Sequence, residues 1–243
     1  DKNFITSQKN QLNLRNLNKY SLNTQSKRSQ SGSGTAFYVG ENIWITARHV
    51  INNCSEVYLK DGPNKKHIEK ILIHPNSDLA LFKYNSFDIK NFNISQKISE
   101  TAFSSGYPAG KPGDAALQLL GFMAMEARSY NILEKHSIYA VLDKNPRNLL
   151  SFGGLSGGPA FDDYGLINGV VVAEFKRRGL IGAVGLNQID WLINASNKEN
   201  EFFDNISKTK NNSIKLDKID KNYNKIGNEL RESNSISKVV CIA

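Results

Sequence analysis

The chain has 243 residues, 40% of them hydrophobic and 22% charged, with a formal net charge of +8. That is enough length for one ordinary domain plus appendages or for a single all-β domain built as two barrels, and no apolar run approaches the roughly 18 residues of a membrane-spanning helix. The charge excess sits mostly at one end, with six Lys/Arg against one acid over 1–32, sixteen against fifteen over 33–195 and nine against seven over 196–243. The pI alone would suggest a nucleic-acid partner, and a near-neutral core argues against that footprint.

Residues 1–32 are rich in Asn, Gln, Ser and Lys, with scattered Leu12, Leu14, Leu17 and Leu22. They read as a polar basic tail or a short helix laid on the surface. No leader segment is visible, and a start at Asp1 without methionine is expected of a trimmed or mature form, so both the bacterial cytoplasm and export stay open. From Ser33 the character changes to short runs of Ile, Val, Tyr and Phe separated by turn residues. The predicted strands are Thr35–Val39, Ile43–Thr46, Glu56–Leu59, Ile68–Ile73, Leu79–Tyr84, Ala102–Ser105, Leu117–Ala124, Ser137–Leu142, Pro159–Phe161, Val170–Phe175 and Ile181–Val184.

This count suits an all-β domain over 33–195 of two six-stranded antiparallel β-barrels, with a single open sandwich as the alternative. The breaker cluster from Gly106 to Gly113 is expected to mark the crossing between barrel one, about 33–106, and barrel two, about 114–187. Ile189-Asp190-Trp191-Leu192-Ile193 reads as an amphipathic stretch covering the second barrel. Residues 196–243 form a polar C-terminal extension in which Leu216, Ile219, Tyr223, Ile226 and Leu230 recur at three- and four-residue steps. That seam predicts a helix over about 214–231 that packs on its own domain, docks a partner or self-associates. Gly227 inside it costs about 1 kcal/mol relative to alanine.

Three short motifs carry chemistry. Gly153-Gly154-Leu155-Ser156-Gly157-Gly158-Pro159 surrounds one serine with glycines whose backbone can turn amides toward a reacting atom. Serine is a weak nucleophile without a base to take its proton and donors for the oxyanion. His49, in Thr46-Ala47-Arg48-His49-Val50, leaves an apolar strand at a small-residue turn and is the candidate base. His67 and His136 stand beside charged residues and read as surface positions, while His74, in Ile-His-Pro, is the rival. Asp78 opens the apolar run Leu79-Ala80-Leu81-Phe82, where a carboxylate is costly unless something donates to it. An imidazole Nδ1–H would serve.

The order His49, Asp78, Ser156 and the three neighbourhoods together resemble the trypsin/chymotrypsin-like serine peptidases. The resemblance covers roughly 33–195, and its compact spacing is closer to bacterial HtrA-type and glutamyl-endopeptidase-type enzymes, with no PDZ-like domain following. It implies an acyl-enzyme mechanism on polypeptide substrates, without metal or organic cofactor, and an oxyanion hole formed by the amides of Gly154 and Ser156. It also places Leu150 at the base of the primary specificity pocket and Val172 and Glu174 along the substrate-binding strand. An apolar base favours small or aliphatic side chains, whereas Glu174 would recruit a basic one, so both preferences stay open.

Departures from the pattern are informative. Where the zymogens carry an aspartate before the serine, this chain has Leu155, and it has no Ile-Val-Gly-Gly start. Activation by insertion of a new N-terminus is therefore not expected; the site is either formed outright or ordered by the tails or a protein partner. The position after the histidine is Val50, where relatives often have a bridged cysteine. Cys54 and Cys241 are accordingly expected as free thiols.

Overall fold

The computed structural model describes residues 19–22, 30–86, 88–198, 212–219 and 221–243. In chain order the first half holds β1 (Lys19–Leu22), β2 (Gly32–Tyr38), β3 (Ile43–Ala47), a one-turn helix α1 (Arg48–Ile51), β4 (Glu56–Asp61), β5 (Asn64–His67), β6 (Ile71–Ile73), β7 (Leu79–Lys83) and β8 (Asn93–Ile94). The second half holds β9 (Thr101–Gly106), β10 (Gly113–Ala127), β11 (Ile132–Asn145), β12 (Pro159–Phe161), β13 (Leu166–Phe175), β14 (Leu180–Val184), α2 (Leu186–Lys198), α3 (Tyr223–Glu232) and β15 (Ile236–Ile242). No described helix is long and apolar enough to cross a membrane.

Two sheets build the molecule. β9, β10, β11, β14, β13 and β12 pair in that order, and β12 pairs back to β9, which closes a six-stranded barrel. The other sheet runs β5-β4-β15-β2-β3-β7-β6 and stays open, a half-barrel rather than the second closed barrel expected from the strand count. β3 lies between β2 and β7 and buries all five of its residues, which explains its composition of Ile, Trp, Thr and Ala. Trp44 stacks on Phe82 with centroids 6.3 Å apart and donates its indole N–H to Ser86 Oγ at 2.9 Å. A large aromatic is thus buried without stranding its one polar atom.

Several boundaries differ from the sequence expectation, each because pairing partners lie far away in the chain. β9, placed by sequence in the first barrel, pairs with β10 and β12 of the second. The Gly106–Gly113 cluster is therefore the β9–β10 loop and not the crossing between barrels. β1 lies parallel on the outer edge of β10, with Lys19 opposite Ala124. Leu12, Leu14 and Leu17 fall outside the described residues. The helix of the C-terminal seam spans Tyr223–Glu232 and not 214–231; Ile219, Tyr223, Ile226 and Leu230 are buried, with Tyr223 against Phe103 at 5.8 Å between centroids. The seam thus packs on its own domain.

The largest correction concerns the end of the chain. β15 is inserted antiparallel between β2 and β4, with Val239 opposite both Gly34 and Leu59. The polar extension therefore supplies a central strand of the half-barrel. That insertion brings Cys241 to Cys54, and the two form a disulfide with Cα atoms 5.5 Å apart across 187 residues of sequence. The expectation of free thiols is wrong, because the pairing depends on a strand addition that no local pattern encodes.

Candidate active site

β3 ends at Ala47, and α1 begins at once, so His49 sits in a first helical turn whose backbone N–H groups lack intrahelical partners. Asp78 supplies one. Its Oδ1 accepts the His49 backbone N–H at 2.9 Å, and its Oδ2 lies 2.6 Å from His49 Nδ1. The Asp78 side chain is 1% exposed and that of His49 is 27% exposed. A carboxylate this deeply buried fixes the imidazole with Nδ1 as donor, so that Nε2 is the nitrogen left to accept a proton. The structure thus brings together the two members of the sequence pattern that lie 29 residues apart.

Asp78 has a second anchor that the sequence reading missed. Glu134, on β11 of the closed barrel and buried, accepts the Asp78 backbone N–H at 3.0 Å and the Ser77 hydroxyl at 2.6 Å. It therefore links the closed barrel to the half-barrel at Asp78. His136, expected at the surface, is wholly buried beside it, with Nε2 3.1 Å from Glu134 Oε1 but not aligned for a hydrogen bond. Two charged residues, Glu134 and Lys135, precede it in sequence, yet strand alternation turns His136 inward; the legible signal was that alternation.

His74 is placed in a structural role. It is buried, its ring packs on Trp191 with centroids 4.2 Å apart, and its Nδ1 accepts the Asn76 N–H at 3.1 Å. Burial lowers its pKa to about 4, with the Arg48 charge acting in the same direction and the Glu134 charge opposing. His67 is exposed and rests on Tyr58 at 5.3 Å between centroids.

Ser156 is half-buried on the loop between β11 and β12. Its carbonyl accepts the Thr35 N–H at 2.9 Å, which ties the loop to the half-barrel. At the next residue, Gly157, φ is +84°, and a β-carbon would collide with Thr35 O and Thr46 Oγ1 and lie 2.8 Å from Ala47 N. Only glycine lets the loop come this close to the end of β3, two residues before His49. Leu155, where a zymogen would carry its aspartate, is fully buried in an apolar cluster with Leu117, Tyr139, Val171 and Ile181. Hydrophobic burial anchors the loop here, and no ion pair is required.

Among the described residues the N–H groups of Gly154 and Ser156 have no internal acceptor, whereas those of Gly153, Leu155, Gly157 and Gly158 are bonded. Two unpaired amides flanking Leu155 are what an oxyanion would need. Thr35 adds a tie that sequence reading missed, since its Oγ1 donates to Gly154 O at 2.8 Å and accepts from Tyr107 N at 3.1 Å.

A cleft of about 430 Å³ opens beside this loop, bordered by Leu142, Leu149, Leu150, Phe152, Glu174 and Lys176 among others. Leu150 is 84% exposed and so stands at the rim, not as a closed apolar base. Val172 is buried in the core, and Glu174 Oε2 accepts the Ser151 hydroxyl at 2.7 Å. β12 pairs with β13 opposite residues 167–170, and among the described residues the same edge of β13 beyond Val171 carries no strand partner. An extended peptide could lie there.

Residues 34–170 match the family of the trypsin-like peptidase domain. The chain is 27% identical over 168 residues to Protease Do-like 2, chloroplastic, of Arabidopsis thaliana, covering 65% of this chain and 26% of that protein. It is 24% identical over 164 residues to protein y4bJ of Sinorhizobium fredii, covering 65% and 25% respectively. It therefore spans about a quarter of the length of these relatives. Among solved structures, the inactive form of the Rv3671c protease superposes with a TM-score of 0.56 at 15% identity, covering 68% of this chain and 86% of that one. The HtrA-type protease AlgW with a decapeptide superposes at 0.55 and 15% identity, covering 68% and 51%. These likenesses establish a chymotrypsin-like fold of one closed barrel and one half-barrel, and with a family match over more than half its length the chain belongs to the trypsin-like peptidase family.

Proposed function

We propose that the protein is a serine endopeptidase that hydrolyses peptide bonds in polypeptides through His49, Asp78 and Ser156. The observation that carries this reading is the buried Asp78 carboxylate 2.6 Å from His49 Nδ1. Such a carboxylate stabilises the imidazolium that forms when histidine accepts the serine proton. Ser156 Oγ attacks the scissile carbonyl while His49 Nε2 takes its proton, and the amides of Gly154 and Ser156 donate to the oxyanion. The same imidazolium then protonates the leaving amine, and water, activated by the neutral histidine, releases the acyl group. Val172 and Glu174 would pair with the substrate backbone along the open edge of β13. Leu150 and Glu174 border the cleft that receives the P1 side chain.

The test is direct labelling. A fluorophosphonate probe should modify Ser156 stoichiometrically, and Ser156→Ala should abolish labelling and reduce kcat by about 10⁶-fold. His49→Ala should behave similarly, whereas His74→Ala should retain most turnover. Labelling at another serine refutes the assignment; peptide binding without labelling or turnover favours a pseudoprotease, or a latent enzyme that an added protein partner would activate.

A further inference from the structure

The C-terminal segment lies outside the residues shared with the peptidase family, yet it grips the loop that touches the oxyanion peptide. Arg231, on α3 and buried, donates in a fork to Asp114, Nη1 to Oδ1 at 2.6 Å and Nη2 to Oδ2 at 3.0 Å. Asp114 is fully buried at the start of β10, the foot of the β9–β10 loop. The helix reaches this depth because position 227 is glycine; a β-carbon there would collide with Asp114 Oδ1 and lie 2.7 Å from Ser105 Oγ. Lys238, on β15, donates its ammonium to Gly110 O at the tip of the same loop, at 3.1 Å. The loop in turn donates Ala109 N–H to Gly153 O at 2.5 Å.

We propose that Arg231 and Lys238 are positioning residues that orient the Gly154 amide for oxyanion binding by bracing the β9–β10 loop. The inference rests on the peptidase reading above. Gly153 C=O and Gly154 N–H belong to one planar peptide unit and point in opposite directions. Holding the carbonyl on Ala109 therefore aims the N–H away from the loop, and a flip of this unit would put an oxygen where the donor is needed. Ala109 has φ 49° and ψ 27°, a left-handed conformation that a residue with a side chain keeps only when its surroundings impose it. Lys238 on Gly110 O and Arg231 on the loop's foot supply that constraint. Where a zymogen uses a new N-terminus to set this peptide, the chain uses its own C-terminal helix and strand, which the Cys54–Cys241 disulfide fastens just beyond α1.

The test uses the full chain with Lys238→Met, and a second variant, Arg231→Leu with Asp114→Leu, that removes both buried charges together so that neither is left unpaired. Two quantities are read: the exchange protection of the Ala109 amide by NMR, and kcat and KM on a peptide substrate. The brace predicts Ala109 exchange at least about tenfold faster in both variants. It also predicts kcat lower by about 10-fold for Lys238→Met and by up to about 10²–10³-fold for the double variant, as for loss of one oxyanion donor. KM should stay within about twofold, since substrate binding on β13 is untouched. Parental Ala109 protection in both variants overturns the brace, as does lost protection with parental kcat. A parent that neither labels at Ser156 nor hydrolyses peptide overturns the peptidase reading, while the Ala109 exchange still decides whether the brace holds.

Discussion

Replacing Glu134 separates the anchoring of Asp78 from the chemistry of His49. The carboxylate is 4% exposed at the residue level and accepts two donors, Ser77 Oγ at 2.6 Å and Asp78 N at 3.0 Å, from residues 0% and 1% exposed. Glu134→Leu leaves both donors buried without an acceptor, at about 1–3 kcal/mol each, or about 2–6 kcal/mol of unfolding free energy. Against the roughly 5–15 kcal/mol of a whole domain, that is a large loss. Glu134→Gln keeps the shape: its amide oxygen can accept the Asp78 N–H and its amide nitrogen can donate to Ser77 Oγ, so the loss should be about 1 kcal/mol. Urea unfolding midpoints at pH 7 measure the difference, and fluorophosphonate labelling rates report the site. Labelling should slow in the leucine variant, bounded by the roughly 10⁴-fold effect of losing the aspartate itself. A leucine variant as stable as the parent, or a glutamine variant as damaged as the leucine, would refute the reasoning.

Two further outcomes follow from the same structure. His74 is held near a pKa of about 4, below its ordinary 6.5, so the folded state binds fewer protons than the unfolded chain between those values. Stability from this group is present above pH 6.5 and is lost as pH falls toward 4, by at most about 3 kcal/mol before solvent screening; urea unfolding of His74→Gln should show a shallower decline than the parent across this window, and parallel declines would contradict it. The disulfide spans 187 residues, so on chain entropy Cys54→Ser with Cys241→Ser should lower unfolding free energy by up to about 5 kcal/mol, measured in urea without reductant, and an unchanged midpoint would show that β15 is held by its ladder alone.

The sequence by itself determined the β character and the peptidase resemblance, and it marked Asp78 as a carboxylate in need of a donor, because each is written locally; that the donor is His49, 29 residues away, came from the resemblance and from the folded chain. A strand announces itself by apolar runs between turns, and a buried carboxylate at the head of Leu79–Phe82 demands a donor wherever it lies. Glycines around Ser156 likewise state that the backbone must come close to something. Only the tertiary structure decided what that something was: Thr35 and the end of β3 against Gly157, and the buried apolar cluster that receives Leu155. It also decided that a polar C-terminus is a central strand, that Cys241 meets Cys54, and that Glu134 and His136 face inward. These depend on pairings between segments more than 50 residues apart, such as Ser77 with Glu134 and Gly34 with Val239. Local composition carries no information about such partners, since the free energy that selects them arises when the two sheets assemble and bury groups the chain cannot satisfy alone.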